Sequence, residues 1–146
     1  MAPSPDPARK TSPSESLLDA GKIRNAVSDI LSKSLPSLVA VYLFGSHATG
    51  CANQESDVDL AFLSEQEVTS AARFVLQEQL AQALHTDVDL VDLTSASTVM
   101  RAQVLETAMI LFESDQDARQ AFEVFVLSSY ALLNEERSSI LNDIYE

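Results

Sequence analysis

Residues 43–60 read Leu-Phe-Gly-Ser-His-Ala-Thr-Gly-Cys-Ala-Asn-Gln-Glu-Ser-Asp-Val-Asp-Leu. Few other stretches leave a chain so few ways to fold. An apolar strand runs into a Gly-Ser turn, crosses a polar loop and re-enters as a strand that opens on two carboxylates. Two of the chain's three glycines, Gly45 and Gly50, fall inside the stretch. Asp57 and Asp59 lie two residues apart, so on a strand their side chains share one face. Asp is depleted from strands, and neighbouring carboxylates repel. A divalent cation relieves that repulsion, and Mg²⁺ in particular is held by carboxylates together with substrate phosphates. The residues therefore point to metal-dependent phosphoryl or nucleotidyl transfer.

The pattern on either side supplies a fold. Residues 1–14 hold four of the five prolines and few apolar groups, which predicts a disordered N-terminal tail before a single domain over 15–146. Ser14 or Ser16 is placed to cap a helix over Glu15 to about Lys33, ended by Pro36. Leu38–Phe44 is a continuous apolar run, as expected of a central strand buried on both faces. Asp57–Leu63 is the second strand, and the short loop between them favours a wide hairpin that brings Ser46 near Asp57 and Asp59. Ser64 and Glu67 form a capping-box pattern that starts a helix. That helix carries Val68, Ala71, Ala72, Val75, Leu76, Leu80, Ala83 and Leu84 on one face and ends at His85-Thr86.

Asp87–Leu93 is a third strand, and a strand-helix-strand unit favours parallel pairing with the second. Ser97–Thr107 reads as a short helix and Met109–Phe112 as a fourth strand. A long helical pattern from Asp115 to Asn142 closes the chain; it either packs its far end on a partner or breaks near Asn134. The fold class is α/β (α+β), a small mixed sheet of about four strands flanked by helices.

Charge and cysteine content narrow the function. Nine basic side chains against 22 acidic ones give a net charge of −13. A nucleic-acid backbone needs a basic surface, so direct nucleic-acid binding is not expected. The single cysteine, Cys51, allows no intrachain disulfide and fits a reducing, cytoplasmic setting. No apolar run is long enough to span a membrane.

Gly45-Ser46, ten residues, then Asp57-Val58-Asp59 resembles the signature of the DNA polymerase β-like nucleotidyltransferase superfamily. The match runs from about Val39 to Phe112. The resemblance implies that Gly45 and Ser46 hold a nucleoside triphosphate and that Asp57 and Asp59 bind Mg²⁺. It implies a third carboxylate on a later strand, for which Asp89 is the candidate; Asp87 shares its face and is the alternative, whereas Asp92 has the opposite parity. Larger members carry added domains for which this chain has no room. It looks like a stand-alone minimal nucleotidyltransferase (MNT) of the MntA-like antitoxin type, paired with a HEPN-domain ribonuclease toxin.

What that resemblance implies is transfer of AMP from ATP to a tyrosine of the toxin. Two Mg²⁺ ions would sit on Asp57, Asp59 and Asp89, and Asp89 would serve as general base. Family members often carry Arg after the Gly-Ser, where this chain has His47, so His47 is the expected but weaker nucleotide contact, with Arg73 or Arg101 as compensating cations. Two rivals stand beside this reading: an antitoxin that blocks the toxin by binding alone, and a nucleotidyltransferase for a small molecule such as an antibiotic. Tyr42 is read as packing, His85 as a helix end, and the Phe122, Phe125 and Tyr130 stripe as core or partner interface.

Overall fold

The computed structural model describes residues 20–52 and 57–145. The expected tail over 1–14, its capping serines and the first residues of the first helix lie outside the described residues. The elements run α1 (Ala20–Ser34), β1 (Leu38–Phe44), the one-turn α2 (Ser46–Thr49), β2 (Val58–Ser64), α3 (Ser70–Leu84), β3 (Val88–Asp92), α4 (Thr98–Thr107), β4 (Met109–Glu113) and α5 (Gln116–Tyr145).

The four strands form one mixed sheet in the order β3-β2-β1-β4. β1 is antiparallel to β2 and to β4, and β2 is parallel to β3. β1 therefore lies inside the sheet, and all its residues but Phe44 are buried, which is why its sequence shows no polar alternation. Side chains on alternate faces build two cores. On one face Val41, Leu43, Leu60, Phe62 and Leu90 pack against Ile23, Val27 and Leu31 of α1 and Leu76, Leu80 and Leu84 of α3. On the other, Tyr42, Ala61, Leu63 and Leu93 pack against Val104 of α4 and Phe122 of α5. Each fully buried large apolar side chain among these contributes about 1.5–3 kcal/mol, so the sheet is clamped from both sides.

α3 begins later than its sequence suggests. Ser64 closes β2 instead of opening the helix: its hydroxyl donates to Ser37 O at 3.3 Å and accepts from Gln66 N–H at 3.4 Å. Thr69 is the N-cap, accepting Ala72 N–H at 3.1 Å. Starting the helix there turns Leu76, Leu80 and Leu84 inward and leaves Val75 53% exposed, so the buried stripe is narrower than the apolar pattern. The helix ends where expected, with His85 in the left-handed region at φ 57°.

α3 also covers the outer edge of β3 at Leu90. Gln77 Oε1 accepts Leu90 N–H at 3.0 Å, and Arg73 donates to Leu90 O at 3.0 Å.

α5 is a single helix of 30 residues, unbroken at Asn134. Asp115 caps it, its carboxylate accepting Ala118 N–H at 3.0 Å. Phe122 and Val126 hold its first half on the sheet, and residues 134–143 are exposed throughout. Of the aromatic stripe, Phe122 packs inward while Phe125 is 59% exposed.

Tyr42 packs, but it also anchors a polar network. Its hydroxyl donates to Glu123 at 2.7 Å, and Glu123 is bound in turn by Arg119 at 2.8 Å, which also pairs with Glu113. Arg119 is buried, and two carboxylates satisfy its charge, as a buried cation requires. Burial, followed by the Glu123 carboxylate, pushes the Tyr42 hydroxyl far up, so it remains a protonated donor.

Candidate active site

The site forms where β1 ends and where β2 and β3 begin. Antiparallel pairing places Phe44 opposite Asp59, and parallel pairing places Asp89 beside Asp59. The last residue before the Gly-Ser turn and two of the predicted carboxylates thus meet at one corner of the sheet. Asp57 directly precedes β2, with its side chain exposed. Asp87 also reaches this corner, but through its backbone: its carbonyl accepts Val58 N–H at 3.0 Å.

Gly45 is required by its neighbour as well as by its backbone. It sits at φ 77°, ψ −152°, a conformation open essentially to glycine alone. A Cβ built on it would overlap Asp59 Oδ2 and lie 3.3 Å from Asp59 Cγ. The backbone of the turn is pressed against the carboxylate, with no room for a side chain between them.

Thr107, which the sequence did not single out, holds this turn. Its hydroxyl accepts Gly45 N–H at 3.1 Å across 62 residues of chain. Nothing in a threonine at the end of a short helix signals such a contact; only the packing of α4 beside β1 creates it. Gly45 O then accepts the amides of Ala48 and Thr49 at 3.1 and 3.2 Å, which folds Ser46–Thr49 into α2.

The electrostatics tie the side chains together. Asp59 is half-buried, and its pKa is raised, first by burial, then by the charges of Asp89 and Asp57; His47 opposes the shift. Asp57, Asp89 and His47 therefore lie within electrostatic reach of Asp59. The two arginines considered as stand-ins for a basic residue after Ser46 are engaged elsewhere. Arg73 binds the edge of β3. Arg101 donates to Leu93 O and Thr94 O, both at 2.7 Å, and lies over the Phe122 ring at the other end of β3.

Among the described residues no three His, Cys, Asp or Glu side chains are already set as a metal cage. The donor set fits Mg²⁺: three carboxylates, one of them held above its usual range by burial and by the charges of the other two, gain from a divalent cation. No described helix is long and apolar enough to cross a membrane.

A family model described as polymerase beta, nucleotidyltransferase matches residues 25–117. Over 120 residues the chain is 40% identical to the protein adenylyltransferase MntA of Shewanella oneidensis, covering 82% of this chain and 86% of that protein. It is similar to a chain of a toxin–antitoxin crystal structure with AMP-PNP, at 38% identity and a TM-score of 0.73, covering 88% of this chain and 100% of the other. It is also similar to a chain from the complex of tri-AMPylated Shewanella oneidensis HEPN toxin with MNT antitoxin. There the identity is 35% and the TM-score 0.71, covering 87% of this chain and 99% of the other.

Proposed function

The chain belongs to the polymerase β nucleotidyltransferase family, and from that premise we propose that it is an antitoxin acting as an Mg²⁺-dependent protein adenylyltransferase. It transfers AMP from ATP to a tyrosine of a cognate HEPN ribonuclease toxin, in the cytoplasm. The observation that carries this reading is the meeting of Gly45, Asp59 and Asp89 at one sheet corner, in a chain that follows MntA over most of its length.

Each residue has a role in that reaction. Ser46 binds phosphate oxygens of ATP through its hydroxyl, since the amides of Ala48 and Thr49 are already bonded to Gly45 O. The Gly45 amide is not a donor either, because it is bonded to Thr107; its part is to bring the turn close to Asp59. Asp57, Asp59 and Asp89 would hold Mg²⁺, which when bound neutralises the triphosphate and makes the attacking hydroxyl more acidic. His47, beside Asp59, adds positive charge when protonated. Asp89, at the exposed edge of the carboxylate group, accepts the proton of the toxin tyrosine. The tyrosine oxygen bonds to the α-phosphorus, the α–β phosphoanhydride bond breaks, and pyrophosphate leaves.

The test is direct. The purified chain is incubated with α-labelled ATP, Mg²⁺ and the HEPN toxin encoded beside it, and the toxin is analysed by mass spectrometry. The expected result is a gain of one or more AMP units on a tyrosine, absent when Asp57 and Asp59 are both replaced by alanine. A toxin silenced in a stable complex without any mass gain would overturn the enzymatic reading in favour of inhibition by binding alone. Transfer from the folded double variant would overturn the assigned metal site.

A further inference from the structure

A cavity of about 460 Å³ lies between α4, the first half of α5 and the β1–β4 side of the sheet. This is within the size range of small-ligand pockets. Its walls include Ala102 and Gln103 of α4, Ile110 of β4 and Leu127 of α5; Tyr42, Arg119 and Glu123 line it as well. The adenylyl-transfer site does not use any of these groups.

The cavity opens on the same side of the sheet as the carboxylates. Tyr42 pairs with Ala61, two residues beyond Asp59, and with Ile110, so all four share a face. It also reaches the phosphate turn through its wall: Glu106 and Ala108 line it, and the residue between them, Thr107, holds Gly45.

Charge selects the occupant. The lining cation, Arg119, is already bound by Glu113 and Glu123, and Glu106 adds a further carboxylate. The lining is net negative, which repels phosphate and accepts a neutral or cationic group. The mouth runs onto exposed apolar surface, with Leu127 55% and Ile110 39% exposed. An enclosed nucleobase needs no such rim, whereas a protein surface covers it.

We propose that this cavity seats a side chain of the toxin's acceptor segment, one with an aromatic or aliphatic body and a neutral or cationic end, close to the modified tyrosine. That segment lies near the modified tyrosine because the cavity wall and the Gly-Ser turn adjoin at Thr107, between Glu106 and Ala108. Gln103 provides an amide for a backbone group of that segment. The proposal rests on the adenylyltransferase reading and adds to it the surface that chooses the tyrosine.

The test fills the cavity and reads toxin and ATP separately. Ala102→Phe adds a ring from a helix position; Leu127→Asp places a charge at the half-exposed mouth, where folding is tolerant. For each, the toxin affinity is measured by calorimetry with a non-hydrolysable ATP analogue present. ATP affinity is measured without toxin, and KM for toxin is taken from AMP transfer. Weakening of toxin binding and a rise in its KM by about tenfold or more, the loss typical of an excluded anchor residue, with ATP affinity held within twofold, is expected. Unchanged toxin affinity in folded Leu127→Asp overturns the proposal, and so does a loss that falls on ATP affinity, which would make the cavity a nucleotide pocket. A wild type that binds toxin but transfers no AMP counts against the enzymatic reading alone, because the affinity ratio still decides the cavity.

Discussion

Replacing Gly45 with alanine separates the cost of a strained turn from the cost of a displaced carboxylate. At φ 77°, ψ −152° the backbone lies in territory closed to other residues, at a cost of about 1–3 kcal/mol. The added Cβ would also overlap Asp59 Oδ2. A carboxyl end can rotate away more cheaply than a strand can move, so the overlap converts into movement of Asp59. A destabilisation of about 2–3 kcal/mol lowers Tm by roughly 6–12 °C for a domain of this size. Movement of a carboxylate of the proposed metal site by about 1 Å costs on the order of 100-fold in rate.

Gly50→Ala is the internal control. It too has positive φ, 80°, but an added Cβ there meets nothing within 4 Å. It pays the left-handed cost alone, about 1–2 kcal/mol. Thermal melts give the two stabilities. Initial rates of AMP transfer to the toxin, taken well below both melting points, give the two activities. The expected pattern is a Tm loss in both variants and a rate loss of about 100-fold in Gly45→Ala only. Equal rates in the two variants would refute the argument that Gly45 exists to let the turn touch Asp59.

Three further outcomes are expected. Asp59→Asn removes a half-buried charge that Asp57 and Asp89 repel, so the variant melts higher at neutral pH while losing transfer. Its advantage fades as pH falls from the raised folded-state value towards the ordinary aspartate value of the unfolded chain, and is gone below that, where the carboxyl is protonated in both states. Calorimetric scans in Mg²⁺ should raise the wild-type Tm by mass action and leave that of Asp59→Asn nearly unmoved. Thr107→Val deletes the acceptor for Gly45 N–H and should raise KM for ATP several-fold, the loss of about 1 kcal/mol of hydrogen bonding; Thr107→Ser should restore it, an outcome that loss of packing alone would not give. Tyr42→Phe leaves Glu123 bound to Arg119 but removes a 2.7 Å bond to a charged group, and chemical denaturation should show a loss of about 1.5–3 kcal/mol.

Much of this architecture is legible in the sequence, and for physical reasons. Seven consecutive apolar residues before Gly45 have nowhere to go but the middle of a sheet. Asp57, Asp59 and Asp89 are costly in strands, and residues out of keeping with their local structure mark a site. The illegible parts all depend on contacts distant in sequence. Ser64 reads as the cap until it is seen bonded to Ser37 at the end of β2, and Thr69 caps the helix instead. Val75 and Leu76 are neighbours of equal hydrophobicity, and the position of α1 determines which is buried. Arg73 and Arg101 looked available for a triphosphate because a sequence does not reveal the backbone carbonyls that hold them. Thr107 carries no local sign of its bond to Gly45. The cavity likewise arises from the crossing of α4 and α5, which no periodicity encodes.

The clasp of Arg73 and Gln77 on Leu90 bears on how the protein behaves while it is alone. An unpaired strand edge is a template on which copies of a chain join. Here both the amide and the carbonyl of Leu90 are bonded to side chains of the next-door helix, so a second sheet finds no ladder to extend at that point. A chain with apolar side chains exposed along α5 thus has the middle of one sheet edge blocked against self-association. Replacing both residues by alanine should lengthen the list of its partners by one: itself.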